Sequence, residues 1–286
     1  MDGQELQRMR NYLENTQVTL QTAYYSKVGA NWKENNLLPD VNRFYYIREG
    51  SGWIKLRNRL YRPRPGQLLL LPAGMKLSYG IDGDDGFGKY WCHFTATVGD
   101  VGLFHMLEVP HCLDVRDESW LEGRFLELIR HYRSPSLTAP LRIKTILLEM
   151  VSAYIEQAVE SGARVRMTPS AETGKINAVL THIERHLREP MTVEELAGLA
   201  HFHPNYFMQY FKSILGVSPI AYINRKRMEK ARELLSGTSL SVTDIAEEIG
   251  LELYYFSRLF KKWTGFSPSE YRKNAAEAGA AAYRKT

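Results

Sequence analysis

The feature that most constrains this chain is an internal repeat between Met191 and Arg272. Comparing position n with position n+49 gives ten identities: Val193/Val242, Ala197/Ala246, Tyr206/Tyr255, Phe207/Phe256, Phe211/Phe260, Lys212/Lys261, Gly216/Gly265, Ser218/Ser267, Pro219/Pro268 and Tyr222/Tyr271. Ten identities at one fixed offset favour a tandem duplication. This region is therefore expected to contain the same structural unit twice.

Each copy has the pattern helix, tight turn, helix. In the first copy, Thr192 and Glu195 form a T-x-x-E capping box. A turn at His201 to His203 follows, and Pro204 suits the first position of the next helix because that position needs no N–H donor. Phe207, Phe211 and Ile214 then form the apolar stripe of the second helix, which is expected to end near Gly216.

The second copy repeats these signals. Ser241 and Asp244 can cap its first helix, and a turn around Gly250 to Glu252 leads to its second helix. The apolar stripe of that helix predicts that Phe256, Phe260 and Trp263 are buried. The two units span residues 192–213 and 241–262.

Short helix pairs of this kind are typical of helix-turn-helix proteins, in which the second helix lies in the DNA major groove. An ordinary helical bundle is the alternative, and its outward polar residues would only be solvated. Two equivalent units on one chain favour DNA binding because they match two successive major grooves. The outward residues predicted to contact DNA are Asn205, Met208, Gln209, Lys212, Tyr254, Ser257, Arg258 and Lys261.

Three basic clusters fall in the repeat region, at Arg225 to Arg227, Lys261 to Lys262 and Arg272 to Lys273. Surface charge is often only solvated, but clusters beside two recognition helices favour contacts with DNA phosphates. The formal net charge of +5 permits binding to nucleic acid without requiring it.

The repeat region resembles the AraC/XylS family of transcription regulators. The resemblance rests on LAGLAHFHPNYFMQYFKSILGVSPIAYINRKRMEKARELL and VTDIAEEIGLELYYFSRLFKKWTGFSPSEYR, and the run YFSRLFKKWTGFSPSEYR (Tyr255 to Arg272) is its most specific part. It implies that Pro219 to Ser236 is a long helix joining the two units. The second turn, Gly250 to Tyr254, is one residue shorter than is usual in the family, which leaves the rotation of the second recognition helix open.

The N-terminal part has a β texture. Short β-type segments at Arg43 to Arg48, Trp53 to Leu56, Gln67 to Leu71 and Lys89 to Phe94 predict a small antiparallel barrel or jelly roll. The run Gly66 to Gly74 resembles the second motif of cupins, which are the usual sensor domain of the AraC family. Leu77 stands where that motif places its histidine, and Trp53 to Leu60 contains no histidine, so no metal or other cofactor is expected.

A sensor pocket in such a barrel would have aromatic walls and a few polar groups. The predicted lining residues are Tyr24, Tyr46, Trp53, Tyr79, Trp91 and His93. Tyr24 would close the pocket from an N-terminal arm that follows a short helix ending near Leu13. Aromatic walls with polar tips suit a sugar, although aromatics are also ordinary core residues of small barrels.

Two helices are expected after the barrel, at Trp120 to Tyr132 and Pro140 to Glu160. The wide apolar stripe of the second helix indicates a homodimer contact, and the alternative is that both helices only pack on the barrel. Residues 161–174 lack apolar periodicity and are expected to be an interdomain linker. His182 and His186 are four residues apart on the next helix and are interpreted as a surface pair rather than a metal site.

Together these patterns predict an α+β protein with a cupin-like domain at 1–160 and an AraC-type DNA-binding domain at 175–275. Its expected function is effector-controlled transcription regulation; the alternative is a metal-free cupin enzyme, such as a sugar isomerase. Expected partners are promoter DNA, a small-molecule effector, a second copy of the chain and RNA polymerase. Two cysteines without metal or disulfide spacing suit a reducing cytoplasm, and the lack of a long apolar run predicts no membrane span.

Overall fold

The computed structural model describes residues 3–29, 31–82, 86–163, 165–168 and 171–274. The chain divides into two compact units, Met1–Ser170 and Ala171–Thr286. The first unit combines strands and helices, and the described part of the second unit has helices only. The predicted α+β class is therefore confirmed.

The first unit contains twelve strands and four helices within the described residues. The strands are β1 (Thr16–Val28), β2 (Glu34–Leu37), β3 (Asn42–Gly50), β4 (Gly52–Leu56), β5 (Arg59–Tyr61), β6 (Gln67–Leu71), β7 (Leu77–Ile81), β8 (Phe87–Val98), β9 (Val101–Gly102), β10 (Leu107–Glu108), β11 (Cys112–Asp114) and β12 (Arg166–Met167). The helices are α1 (Gly3–Glu14), α2 (Leu103–Met106), α3 (Glu118–Tyr132) and α4 (Ala139–Glu160).

Two antiparallel sheets form the barrel-like body of this unit. The larger has the order β1-β8-β3-β6-β11, with β9 beside β8, and the smaller has the order β2-β7-β4-β5. Because side chains alternate across a strand, every second residue of β3 and β8 faces the smaller sheet. Tyr45, Ile47 and Phe87 do so, and they share a buried cluster with Ile54 and Leu77.

Helices α3 and α4 pack on the other face of the larger sheet. The ring of Phe44 lies 5.3 Å from that of Tyr154 in α4, and the ring of Tyr46 lies 6.3 Å from that of Phe125 in α3. The Tyr154 hydroxyl also donates a hydrogen bond to the carbonyl of Pro110 at 2.7 Å. Both helices begin within two residues of their predicted starts and end where predicted.

The predicted N-terminal arm is wrong, because residues 16–28 form β1, a thirteen-residue strand paired with β8 along its length. The linker at 161–174 stays a prediction, and part of that segment has regular structure. Arg166 and Met167 pair with β10 of the first unit, and the next helix begins at Ala171. Residues 164, 169 and 170 of that segment lie outside the described residues, as do residues 1, 2, 30, 83–85 and 275 of the two predicted domains.

The second unit is built from α5 (Ala171–Arg185), α6 (Val193–Leu199), α7 (Pro204–Leu215), α8 (Pro219–Gly237), α9 (Val242–Glu248) and α10 (Leu253–Thr264), and residues 268–274 are helical as well. The bounds of α9 and α10 equal those of α6 and α7 plus 49 residues. The duplicated sequence therefore folds into two units of equal element length, which α8 joins as predicted.

Candidate nucleic-acid interface and effector site

Both helix-turn-helix units begin with the predicted capping box. The Thr192 N–H donates to Glu195 Oε2 at 2.8 Å, and the Glu195 N–H donates to Thr192 Oγ1 at 3.2 Å. Ser241 and Asp244 repeat both bonds at 3.0 Å. These bonds satisfy N–H groups that lack helical partners, and they hold the pKa of both carboxyls below the usual value. Each unit therefore has a fixed start to its first helix.

The two turns have the same length and backbone geometry. His201 and Gly250 occupy equivalent positions, and both have left-handed backbones, with φ of 52° and 66°. The following N–H groups, of Phe202 and Leu251, donate to Ala197 and Ala246 at 2.9 Å in each case. The register of α10 therefore follows that of α7.

The eight predicted DNA-contact residues form four equivalent pairs on α7 and α10. Asn205, Met208, Gln209 and Lys212 are all exposed on α7; Tyr254, Arg258 and Lys261 are exposed on α10, and Ser257 is half-buried. Their spacing of three or four residues places each set on one helix face. The Arg258 guanidinium lies 5.7 Å from the centre of the Tyr254 ring, so these two side chains share one surface.

Trp263 was predicted to be buried, and this is wrong, because 44% of its surface is exposed. Phe256 and Phe260 fill the core that α8 and α9 provide around Met228, Ile245 and their neighbours. Trp263 lies in the last turn of α10, beyond that core.

Arg227 was predicted to contact phosphate, but it is buried with only 8% of its surface exposed. Its Nε donates to the Leu187 carbonyl at 2.9 Å, and its guanidinium NH2 donates to the Glu189 carbonyl at 2.8 Å. Arg272 likewise bonds to the Leu240 carbonyl at 2.5 Å. These two residues therefore hold the second unit together, whereas Lys261, Lys262 and Lys273 are exposed and free to reach a phosphate.

Four of the six predicted effector residues lie on the inner face of the barrel. Trp91 and His93 are separated from Phe87 by an even number of positions along β8, so all three lie on the same face of the strand. The rings of Trp91 and His93 are 4.8 Å apart. The Tyr24 ring lies 5.6 Å from that of Trp91, whose Nε1 donates to Ser26 Oγ at 3.0 Å. Tyr79 lies on the opposite sheet. The structure therefore brings Tyr24, Trp91 and His93 together on one strand pair.

Tyr46 and Trp53 lie elsewhere. The Tyr46 hydroxyl donates to Glu118 of α3 at 2.7 Å, so this side chain is on the helix-covered face of the larger sheet. Trp53 packs its indole over Gly80, where a Cβ atom would come within 2.9 Å of the ring. Neither side chain faces the interior between the two sheets.

The interior also holds residues that were not predicted, and Lys89 is the main one. It is 2% exposed, and its Nζ lies 3.8 Å from the centre of the Trp32 ring and 5.2 Å from that of Tyr45. The Trp32 ring stacks on Tyr79 at 4.1 Å. Strand alternation is the signal that could have found Lys89, because it places this residue on the same face as Phe87 and Trp91.

Burial changes the titration of these interior groups. It lowers the pKa of Lys89 to about 7, because the ammonium has lost water. Burial and the positive charges of Arg43 and Lys89 lower the pKa of His93 to about 4. Burial raises the pKa of Tyr45 to about 12, although the nearby charge of Arg43 opposes that change. At neutral pH His93 is therefore neutral, and Lys89 lies close to its own pKa.

The described residues were compared with what a metal site and a membrane-spanning helix require. They contain no group of three or more His, Cys, Asp or Glu residues able to hold a metal ion. The rings of His182 and His186 stack at 4.4 Å, and His186 Nδ1 lies 3.0 Å from Glu189 Oε1. None of the helices among residues 3–274 that the structure describes is both long and apolar enough to cross a membrane.

Comparison with known proteins matches both units to family models. Residues 180–274 match a helix-turn-helix domain, and residues 43–151 match an AraC-like ligand-binding domain. The chain is 30% identical to an HTH-type transcriptional regulator, YisR, of Bacillus subtilis, over 80% of this chain and 84% of that protein. It is 28% identical to the MmsAB operon regulatory protein of Pseudomonas aeruginosa, over 83% and 77% of the two chains.

The chain is also 25% identical to the arabinose operon regulatory protein of Escherichia coli, over 80% of this chain and 79% of that protein. These relatives are regulators of transcription, so nothing supports the alternative of a cupin enzyme. The matches cover both the exposed recognition helices and the sheet-rich unit. The chain belongs to the AraC/XylS family of DNA-binding transcription regulators, and its first unit is the ligand-binding domain of that family.

Proposed function

We propose that α7 and α10 read two blocks of promoter DNA in successive major grooves. The observation that carries this proposal is the equivalence of the two units, which present four pairs of side chains at the same helix positions. Asn205, Gln209 and Arg258 can bond to base edges, and Lys212 and Lys261 can bond to phosphates.

The helix between the two units supports this arrangement. With 19 residues, α8 is about 28 Å long. Successive major grooves on one face of a duplex are about 34 Å apart. A connecting helix of this length suits two recognition helices that occupy neighbouring grooves, with exposed lysines beside them.

Selection of bound sequences from a random DNA pool with the full chain, at a fixed salt concentration, tests the proposal. We expect two sequence blocks about one helical turn apart. A single block would show that only one recognition helix reads bases, and no enrichment would contradict sequence-specific binding. The salt concentration must be constant because phosphate contacts make affinity strongly salt-dependent.

Arg258→Ala separates the two kinds of contact. If Arg258 reads a base, the substitution should cost about 1–3 kcal/mol on the selected site and relax specificity at one position. An equal loss on every sequence would make it a phosphate contact instead. Lys230→Ala is the control, because Lys230 is exposed on α8 and outside both recognition helices.

We place the effector site between the two sheets, around Tyr24, Tyr79, Trp91 and His93. The aromatic walls there and the name of the arabinose operon relative support a carbohydrate-like effector. Effector binding would change how the first unit holds the DNA-binding units and so shift the population of DNA-competent states. A rise in the melting temperature of the first unit with a candidate effector would test this site.

We also propose that the chain acts as a homodimer through α4. Leu141, Leu148 and Val159 of this helix are 68%, 36% and 51% exposed, which is unusual for large apolar side chains on one helix. The double variant Leu141→Glu/Leu148→Glu should sediment as a monomer, while Leu38→Glu, at an exposed loop leucine, should not change the mass. A monomeric wild type would contradict the proposal. RNA polymerase as a partner and a cytoplasmic location follow from the family role and are part of the same proposal.

A further inference from the structure

Lys89 is a buried cation without an anionic partner among the described residues. Its side chain points between the two sheets with 2% of its surface exposed. The ion pairs of the described residues, such as Lys27 with Glu49, do not include it. An ammonium that has lost its hydration needs a partner, and a carboxylate is the usual one.

Aromatic rings surround this ammonium. Its Nζ lies 3.8 Å from the centre of Trp32, 5.2 Å from Tyr45 and 5.6 Å from Phe87. Cation–π attraction to these rings compensates for only part of the hydration free energy that the buried ammonium loses. The low pKa of Lys89, about 7, agrees with this incomplete compensation.

Two further nitrogen atoms of the same interior lack hydrogen-bond partners. Arg43 Nε and His93 Nε2 are both buried and unbonded. Arg43 pairs with His93 across β3 and β8, and Lys89 lies on the same face of β8. Lysine and arginine offer donors only. The Arg43 side chain also hydrogen-bonds to the Tyr45 and Tyr79 hydroxyls, but its Nε and the Lys89 ammonium can each still accept a carboxylate oxygen as a partner.

We infer that the effector is a small organic acid whose carboxylate binds Lys89 and Arg43 while its body lies against the aromatic walls. This inference rests on the proposed effector site between the sheets, and it replaces the neutral carbohydrate considered there with an acid, of which a sugar acid is one kind. A neutral sugar would bring hydroxyl groups that are both donors and acceptors, and it would leave the buried charge uncompensated. A carboxylate supplies acceptors and the opposite charge together.

The position of Trp32 sets how the acid would reach Nζ. Its ring covers the ammonium at 3.8 Å and is only half-buried, on the loop between β1 and β2. An anion bound at Nζ would lie close to this ring and change its surroundings. Four of the five tryptophans, Trp32, Trp53, Trp91 and Trp120, lie in the first unit, and Trp263 lies in the second. Tryptophan fluorescence therefore reports mainly the unfolding of the first unit and changes around the Trp32 ring.

The test uses the full chain and matched pairs of acid and neutral compound: galacturonate with galactose, benzoate with benzamide, and hexanoate with hexanamide. Each is added at about 10 mM, roughly ten times the Kd of a millimolar ligand. We expect at least one acid to raise the melting temperature followed by tryptophan fluorescence, while its neutral partner does not.

Two variants test whether Lys89 binds the carboxylate. Lys89→Met fills similar space without charge and should weaken binding of that acid about 10- to 100-fold. Lys55→Met, at an exposed lysine of the smaller sheet, should leave binding unchanged. The melting temperature of Lys89→Met without ligand shows whether the variant is folded.

Three results would overturn the inference: equal shifts from neutral and acidic partners, no shift from any acid, or full binding by folded Lys89→Met. If the second of these results came with a shift from a neutral compound, the inference would fail while the proposed effector site in the barrel would be retained. The selection of DNA sites does not depend on these compounds, so failure of the DNA-binding proposal would be seen separately.

Discussion

Gly250→Ala should destabilise the second helix-turn-helix unit more than its small change in volume suggests. Gly250 has a φ of 66°, and a Cβ added there would lie 1.8 Å from the carbonyl oxygen of Arg188. A left-handed backbone costs a residue with a Cβ about 1–2 kcal/mol. The clash requires the backbone at Arg188 to move as well, and we expect a total of about 3 kcal/mol or more.

Two other glycines separate these contributions. Gly265 has a φ of 83° with nothing within 4 Å of an added Cβ, so Gly265→Ala should show the backbone cost alone, about 1 kcal/mol. Gly198 lies within α6, also with open space around it, so Gly198→Ala should be neutral or stabilising by about 0.5–1 kcal/mol. The difference between Gly250→Ala and Gly265→Ala then measures the contact with Arg188.

Hydrogen exchange of amides in α9 and α10 is the suitable assay because it reports the opening of this unit in the full chain. A loss of 3 kcal/mol corresponds to about 150-fold faster exchange, and 1 kcal/mol to about 5-fold. Equal exchange in Gly250→Ala and Gly265→Ala would refute the reasoning, because it would mean that the Arg188 carbonyl does not restrict this position.

Three further predictions concern single residues. Because burial lowers the pKa of Lys89 from 10.5 to about 7, the unfolded chain binds more protons between these pH values, so the free energy of unfolding of the first unit should rise with pH there, by up to about 1.4 kcal/mol per pH unit, and should be lowest below pH 7. Fluorescence-detected unfolding from pH 7 to pH 9 measures this rise, and the same slope in Lys89→Met would contradict it. Arg227→Met should cost about 2–4 kcal/mol, measured by denaturant unfolding, because it leaves the carbonyls of Leu187 and Glu189 without donors; an unchanged midpoint would count against that role. Thr192→Ala should cost about 1 kcal/mol and speed amide exchange in α6 about 5-fold, whereas unchanged exchange would mean that the capping box adds no stability.

The sequence predicts the second unit well because its signals are local. Capping boxes, a proline at the first helical position and glycines after the last turn each act within a few residues. Because the sequence unit occurs twice, each predicted helix start and end can also be compared with its counterpart 49 residues away. The error at Trp263 arose because helical periodicity shows which face is apolar, but it does not show how far along the helix the core extends.

The first unit was harder to predict because its contacts join distant segments. Residues 16–28 are rich in polar side chains, and only pairing with β8 makes them a strand. A run of basic letters such as Arg225 to Arg227 does not show that Arg227 faces the core, although Ile223 and Ala231 lie four residues to either side on the buried stripe. The pocket prediction for Tyr46 and Trp53 rests on their aromatic character alone, whereas the strand register decides which face of the sheet each side chain occupies.

The contacts of the Leu187 to Glu189 backbone tie three elements of the second unit together. This short segment follows α5, and it is held by Arg227 of α8 on two carbonyls and by close contact with Gly250 on the third. The C-terminal end of α5 is therefore held against α8 by two hydrogen bonds and against the second turn by one close contact. Since α5 starts at Ala171, the first residue of the second unit, the residues that follow this helix join it to the connecting helix and to the second turn within that unit.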